Sequence, residues 1–425
     1  MKRKLVFSGR YAGYSLQGLQ KDLLAGLIVA VITIPLGMAF AIASGVKPEY
    51  GIYTSIIGGI LIALLGGSKF QIGGPTGAFV PILFGVVMVY GYENLLVAGF
   101  LAGIILLLMG IFKFGSLIKF IPKPVTIGFT SGIAVIIFVS QIANFLGLKD
   151  VEQHETFFSN LREIIIHIPT INLYSVLTAI ICLITILLTP KFVPKIPGPI
   201  IGLLLSTVAA SLIFPNQVAT IGSTFGEIPN TLPNFRIPEI TFERIQQMVV
   251  PAFIIAVLGS IESLLSAVVA DGMTTSKHNS NRELMGQGIA NIITPLFGGI
   301  PATGAIARTA TNIKNGEVSP FSGIFSGLIV LLILMLFAPY ASNIPLASMA
   351  PILMVVAWNM SERQVFYQLL KTRSSDSLVL VVTFFLTVFV NLTVAVEVGL
   401  LLAGLLLIKR MSDSVVTVKG LPNPK

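Results

Sequence analysis

The amino-acid sequence predicts an all-α polytopic membrane protein of fourteen membrane segments, built as two seven-segment halves of opposite orientation. Three observations lead there. Of 425 residues, 54% are hydrophobic and only 11% charged, with a mean hydropathy of +0.92, whereas a soluble domain carries about 25% charge. The charges gather in short stretches between apolar runs of bilayer-spanning length. Two Gly/Pro-interrupted segments of similar sequence lie about half a chain apart, which is the mark of an inverted-repeat transporter.

The segment cores read, in order, 23–43, 51–66, 75–90, 95–112, 124–145, 173–189, 199–214, 248–270, 284–299, 303–313, 320–338, 346–360, 377–392 and 394–409. The stretch 1–22 is polar and basic, and the apolar run after it, Leu23–Ala43, lacks a processing site, so no signal peptide is expected. An even number of segments puts both termini on one side. Placing the N-terminus inside leaves twenty of the 27 Lys and Arg residues in cytoplasmic stretches and only Lys47, Lys149, Arg162, Arg236 and Arg244 outside, as the positive-inside rule requires. The expected location is the plasma membrane, multi-pass, in contact with lipids and with both termini cytoplasmic. The same rule explains the net charge of +9 without invoking nucleic acid. Asp150–His167 reads as an external amphipathic helix, Asn216–Gln247 as a polar external loop and Ser361–Arg373 as an inner interfacial helix. The single cysteine, Cys182, excludes an intramolecular disulfide and a cysteine metal cluster. With three scattered histidines and no catalytic constellation, neither metal, cofactor nor enzymatic activity is expected.

The interrupted segments carry the functional signal. Gly73–Pro81, GGPTGAFVP, and Gly298–Ala305, GGIPATGA, both run Gly-Gly, Pro, Thr-Gly-Ala. Each falls in the third segment of its half. A helix that starts at mid-membrane exposes unpaired N–H groups and the positive end of its dipole. Two such starts facing each other make an anion cradle. Between Met248 and Ala270 the only ionisable residue is Glu262, and a carboxyl at bilayer depth costs at least ~2.5–3.5 kcal/mol on insertion scales. Arg308 follows in the second interrupted region. One intramembrane acid and one base beside broken helices point to a transporter with a charged substrate.

Two stretches resemble the SulP family of anion transporters, called solute carrier family 26 in animals. Thr33–Tyr53, TIPLGMAFAIASGVKPEYGIY, is similar to that family's opening signature, and Lys277–Pro301, KHNSNRELMGQGIANIITPLFGGIP, to its Asn-Arg-Glu-Leu, Gln-Gly, Asn run. The resemblance runs from Leu23 to about Arg410. It implies a uracil-permease-like fold with half-helices 3 and 10. After a cytoplasmic segment 1–22, residues 23–120 (segments 1–4) and 248–340 (segments 8–11) would form a core domain. Residues 121–247 (segments 5–7) and 341–410 (segments 12–14) would form a gate domain. Members usually continue into a cytoplasmic STAS domain, so 411–425 would be the start of that tail, with the STAS domain missing. A homodimer is a further expectation.

The resemblance and the residues together give the candidate site. Thr76, Gly77, Ala78, Thr303, Gly304 and Ala305 would bind substrate at the helix starts, with Arg308 as the cation and Phe79 and Phe40 as apolar walls. Thr303 reads almost equally as a helix cap. Glu262 and Ser266, at i and i+4, share a helix face and would hold the coupling ion, a proton or sodium. Similar sodium-coupled bicarbonate transporters of cyanobacteria carry Asp and Thr at that spacing and Gly-Ala-Thr before segment 10; here the latter is Gly304-Ala305-Ile306. The missing hydroxyl favours a proton. The expected function is secondary active transport of a small inorganic anion, sulfate or bicarbonate, by proton symport and alternating access. The alternatives are a C4-dicarboxylate (fumarate or succinate) proton symporter, sodium-coupled bicarbonate uptake and an uncoupled anion channel.

Overall fold

Prolines and polar caps set the helix limits in this chain. The computed structural model describes residues 14–116 and 122–390, apart from 155, 195, 232, 373 and 374, together with Arg10 and a few positions beyond 390. Ser15 caps α1 (Leu16–Ala43) by accepting from Gly18 N–H, and Pro48 opens α2 (Pro48–Leu65). Proline suits the first helical turn, where its missing N–H has no partner to lose. A two-residue strand, β1 (Gly73–Gly74), then a 3-10 turn, Gly77–Phe79, lead into the short α3 (Val80–Tyr90). Next come α4 (Tyr92–Ile111), α5 (Lys123–Ser140), α6 (Ile142–Leu146), α7 (Phe157–His167), α8 (Leu173–Phe192), α9 (Gly198–Ile213) and α10 (Ile221–Phe225). The second half opens with α11 (Phe242–Met273), capped by Thr241, and α12 (Ser280–Ile293), capped by Asn279. Then follow β2 (Thr303–Gly304), the short α13 (Ile306–Lys314), α14 (Phe321–Ala341), α15 (Leu346–Met360), α16 (Arg363–Lys371) and α17 (Ser375–Phe389).

Several sequence expectations need correction. The external amphipathic helix covers only Phe157–His167, capped by Thr156; residues 150–154 are not helical. The loop 216–247 contains α10 and the first turns of α11. Segment 8 is a 32-residue helix rather than 248–270, because Thr241 supplies a cap upstream of the apolar run. Segment 9 begins at Ser280 instead of 284 and turns 3-10 at Thr294. Most of the last expected span, 394–409, with Glu397 and the tail 411–425, lies outside the described residues.

The helices pack as two groups. The first holds α1, α2, α4, α11, α12, α13 and α14; the second holds α5, α6, α8, α9, α15 and α17. Contacts of α1 with α9 and α15, and of α3 with α5, join them. In the first group α4 and α12 cross at Gly103 and Gly288. A Cβ on Gly288 would come 2.5 Å from Leu107 N, and one on Gly103 2.6 Å from Ile292 N. Hydrogen atoms there let the backbones touch, the usual way for membrane helices to gain packing contact.

Contacts between helix ends define two faces. At the amino-terminal face, Arg10 donates to the Ser68 and Leu64 carbonyls, Asn281 accepts from Gly115 N–H, and the fully buried Asp22 of α1 accepts from Val318 N–H, Ser319 N–H and the Ser319 hydroxyl ahead of α14. At the opposite face, Tyr50 stacks on Tyr92, whose hydroxyl donates to Gly298 O at 2.6 Å.

Beside Asp22 the Glu317 side chain is buried and accepts from Asn312 and from the Ser322 hydroxyl, while its Oε1 has no hydrogen-bond partner among the described residues. Burial, chiefly, pushes the Glu317 carboxyl up to about 9. The folded state therefore holds this proton more tightly than the unfolded state, and stability falls as pH rises from the ordinary carboxylate range toward about 9. Glu317→Gln keeps an acceptor for Asn312 and Ser322 but cannot ionise. Thermal unfolding of purified protein should show the variant melting above the parent near the top of that window, by about 2 °C or more for roughly 1 kcal/mol. The gap should close toward its acid end; a gap independent of pH would show that Glu317 is not the titrating group.

Candidate substrate site

Two short strands meet where the two interrupted segments cross. β1 pairs antiparallel with β2, Gly73 opposite Gly304 and Gly74 opposite Thr303. Ala305 N–H donates to Ile72 O at 2.8 Å, and the Thr309 hydroxyl accepts from Ile72 N–H at 3.0 Å. Backbone groups of a broken helix have no water to turn to at this depth and must find partners inside the protein. Here each interruption satisfies the other. Gly74 has φ of +149°, and a Cβ on it would lie 2.7 Å from Arg308 Nη1, so the chain passes beneath the guanidinium only as glycine.

Beyond the crossing two short helices begin. Thr76 precedes the 3-10 turn that becomes α3, and Ala305 is the cap of α13. The first N–H groups of each have no acceptor within their own helix. Arg308 projects from the first turn of α13, 3% exposed, and Nη2 donates to Pro75 O at 2.5 Å. Its Nη1 is buried with no hydrogen-bond partner among the described residues. Glu262, on α11, accepts from the Thr76 hydroxyl at 2.8 Å. No ion pair within 4.0 Å joins Glu262 to Arg308 among the described residues. Instead, one guanidinium nitrogen is engaged by a carbonyl and the carboxylate by a hydroxyl.

The other site residues divide. Gly77 lies between Phe40 and Met360, whose atoms a Cβ would approach at 3.3 and 3.0 Å, and Phe79 packs its ring against Gly259. Both phenylalanines are buried. Ala78 and Ala305 are buried beside the two helix starts. Thr303 is fully buried and paired with the Ser263 hydroxyl at 2.7 Å and Gly259 O at 3.0 Å. Ser266 donates to the Thr309 hydroxyl at 3.2 Å rather than to its helix neighbour Glu262.

Sequence reading missed the groups that hold the crossing in place. Ser263 accepts from Gly304 N–H at 3.1 Å, binding α11 to β2. The fully buried Glu283 accepts from Gly67 N–H, Ser68 N–H, Gln71 Nε2 and Gln287 Nε2. Asn291 both donates to Ala302 O and accepts from Ala302 N–H, at 2.8 Å each. Four donors on one carboxylate make an anchored corner without any cation. The signal was present: Glu283, Gln287 and Asn291 recur every fourth residue on one face of α12.

Two cavities flank the crossing. One of about 940 Å³ opens at the face opposite the N-terminus, between α3 and the end of α1 on one side and α5, α6 and the 148–157 stretch on the other, and it reaches Val80 and Pro81. A smaller one, about 60 Å³, lies toward the amino-terminal face and includes Glu262 and Ile306 in its wall.

The chain matches known proteins along nearly its whole length. The family model described as the Sulfate permease family covers residues 19–383. A Bacillus subtilis protein named "Putative sulfate transporter YvdB" is 61% identical over 96% of this chain and 77% of its own length. The bicarbonate transporter BicA of a Picosynechococcus strain is 32% identical over 93% of this chain and 71% of its own. Among solved structures, the transmembrane domain of a cyanobacterial BicA superposes with a TM-score of 0.78 at 27% identity, covering 95% of this chain and 99% of that domain. The fold is also that of SLC26A9, with a TM-score of 0.85 at 19% identity over 93% of this chain and 66% of that one. Matches of this extent and identity mean that the chain belongs to the Sulfate permease family.

Proposed function

We propose that the protein is a secondary transporter of a small inorganic anion, sulfate or bicarbonate, driven by proton symport. One observation carries the reading: among the described residues, a buried guanidinium with an unpartnered Nη1 stands between two helix starts, near a carboxyl that forms no ion pair. Relatives named as sulfate and bicarbonate transporters support the substrate class.

The coupling follows from charge. With Glu262 ionised, its negative charge opposes an incoming anion. Protonation leaves Arg308 as the charge in the site, so proton and anion each raise the other's affinity, by the reciprocity that linkage demands. The Thr76 hydroxyl, which now donates to Glu262, is released to turn toward the substrate when the carboxyl itself becomes a donor. The cavities of about 940 and 60 Å³ on opposite sides of the crossing suit a site that opens to one face at a time. The first helix group acts as the core and the second as the gate, with the amino-terminal face cytoplasmic. A sodium site would draw on hydroxyls near Glu262. Ser266 is engaged with Thr309, and position 306 is isoleucine.

Two outcomes test this in proteoliposomes. Arg308→Ala should weaken anion binding about 10- to 100-fold, the worth of a hydrogen bond to a charged group, and Arg308→Lys should restore only part, lacking the planar fork. Parental affinity in Arg308→Ala would remove the guanidinium from the site. Uptake of radiolabelled sulfate or bicarbonate should respond to an inward proton gradient and not to a sodium gradient alone, and Glu262→Gln should abolish that response while exchange of anion for anion persists. Sodium-driven uptake indifferent to the pH step would make Glu262 a cation ligand instead.

A further inference from the structure

The small cavity has carboxyls from two different helix groups in its wall. Glu262 comes from α11, and Glu362 from the joint between α15 and α16. Among the described residues, the rest of the wall is apolar apart from Thr126 and Thr130 of α5. At about 60 Å³ the cavity has room for a few waters, since one needs roughly 10–15 Å³. Among the described residues no basic side chain lines it, which makes its wall unfavourable to an anion.

Glu362 is held in an unusual way. Its φ of +40° and ψ of +43° are left-handed, a region disfavoured for any residue with a Cβ. Neighbouring contacts fix it there: the preceding carbonyl, Ser361 O, accepts from the Ser131 hydroxyl of α5 at 2.8 Å. Although Glu362 occupies the cap position of α16, its side chain makes no capping bond. The adjacent Arg363 does not neutralise it, because that guanidinium lies 3.7 Å over the Trp358 ring. Among the described residues, the charged groups facing it are Lys123 at the start of α5 and Glu262 across the cavity. From α13 the cavity receives only Ile306, Arg308 being turned to Pro75. Desolvation raises the Glu362 carboxyl above its ordinary value, with Lys123 opposing.

We infer that Glu362 is the inner proton acceptor of the transport cycle, receiving through water in the small cavity the proton that Glu262 gives up after the anion has left. This rests on the proton-coupled reading of Glu262. The step is a simple transfer: the O–H bond of protonated Glu262 breaks, water passes a proton along, an O–H bond forms on the Glu362 carboxylate, and the cytoplasm then takes that proton. The anion takes a separate path, since two carboxyls in one small cavity exclude it. Because Glu262 and Glu362 sit on separate helix groups, movement of one group against the other makes or breaks the relay.

The test compares the parent with Glu362→Gln, Glu362→Gly and Glu362→Asp in proteoliposomes loaded for two assays. One is net uptake of radiolabelled sulfate, or bicarbonate where the parent takes no sulfate, under an imposed pH step. The other is anion-for-anion exchange at equal pH, which moves no net proton. Glu362→Gln and Glu362→Gly should lose about tenfold or more of net uptake, the low side of what a positioned proton-transfer group contributes, with exchange within about twofold of the parent and with the dependence of net uptake on internal pH flattened. Glu362→Asp, still an acid, should recover most of the net uptake. Parental net uptake in Glu362→Gln overturns the inference and leaves proton coupling intact. Equal loss of both assays in Gln and Gly variants overturns it in favour of a structural role, since glycine relieves the left-handed backbone. A parent whose uptake ignores the pH step overturns the proton-coupled reading itself, and this inference with it.

Discussion

A backbone interrupted inside a membrane must find its hydrogen bonds within the protein, and the architecture around the site follows from that demand. Two interruptions of similar sequence solve it together, as β1 and β2. Their pairing forces glycine at Gly74, where the backbone is left-handed, and at Gly304, where Gln71 packs against the chain. It leaves two short helices starting from one crossing. Ser263 then holds Gly304 itself, while Thr309, Asn291 and the Glu283 corner hold the residues on either side of the strands, Ile72, Ala302 and Gln71.

The charged pair acts within that frame by staying apart. Had Glu262 and Arg308 met directly, each would have neutralised the other, and the site would have offered an anion nothing. Thr76 and the Pro75 carbonyl, adjacent in sequence, keep them separate by occupying one atom of each. Both partners come from the first interruption, so the loop that builds the crossing also contacts both charged side chains.

Much of this was legible in the sequence, for identifiable reasons. The apolar runs and the paired Gly-Gly-Pro-Thr-Gly-Ala segments carry the architecture on their face, because bilayer thickness and backbone satisfaction allow few other readings. Glu262 and Arg308 stood out because ionisable residues at that depth are rare. What stayed hidden depends on side-chain direction. The separation of Ser266 from Glu262 and the tethering of Thr303 to Ser263 follow from rotamers that spacing along a helix does not determine. The helix limits at Thr241, Thr156 and Asn279 lie in polar capping residues outside the apolar runs, so hydropathy alone places those starts several residues late or, for the amphipathic segment, early. Glu362 gave no signal at all, since an acid beside an interfacial helix reads as ordinary surface; only its backbone and its cavity distinguish it.

The chain holds one tryptophan, and that indole sits under the Arg363 guanidinium at the hinge-like joint of α15 and α16, next to Glu362 and half exposed. Ultraviolet emission from the unmodified protein at long excitation wavelengths therefore arises from a single known position. On the transport cycle proposed above, a shift between the two helix groups would change the polarity around the ring and its stacking with the cation. The protein thus carries a built-in optical reporter of its own inner joint, readable in detergent or lipid without any label.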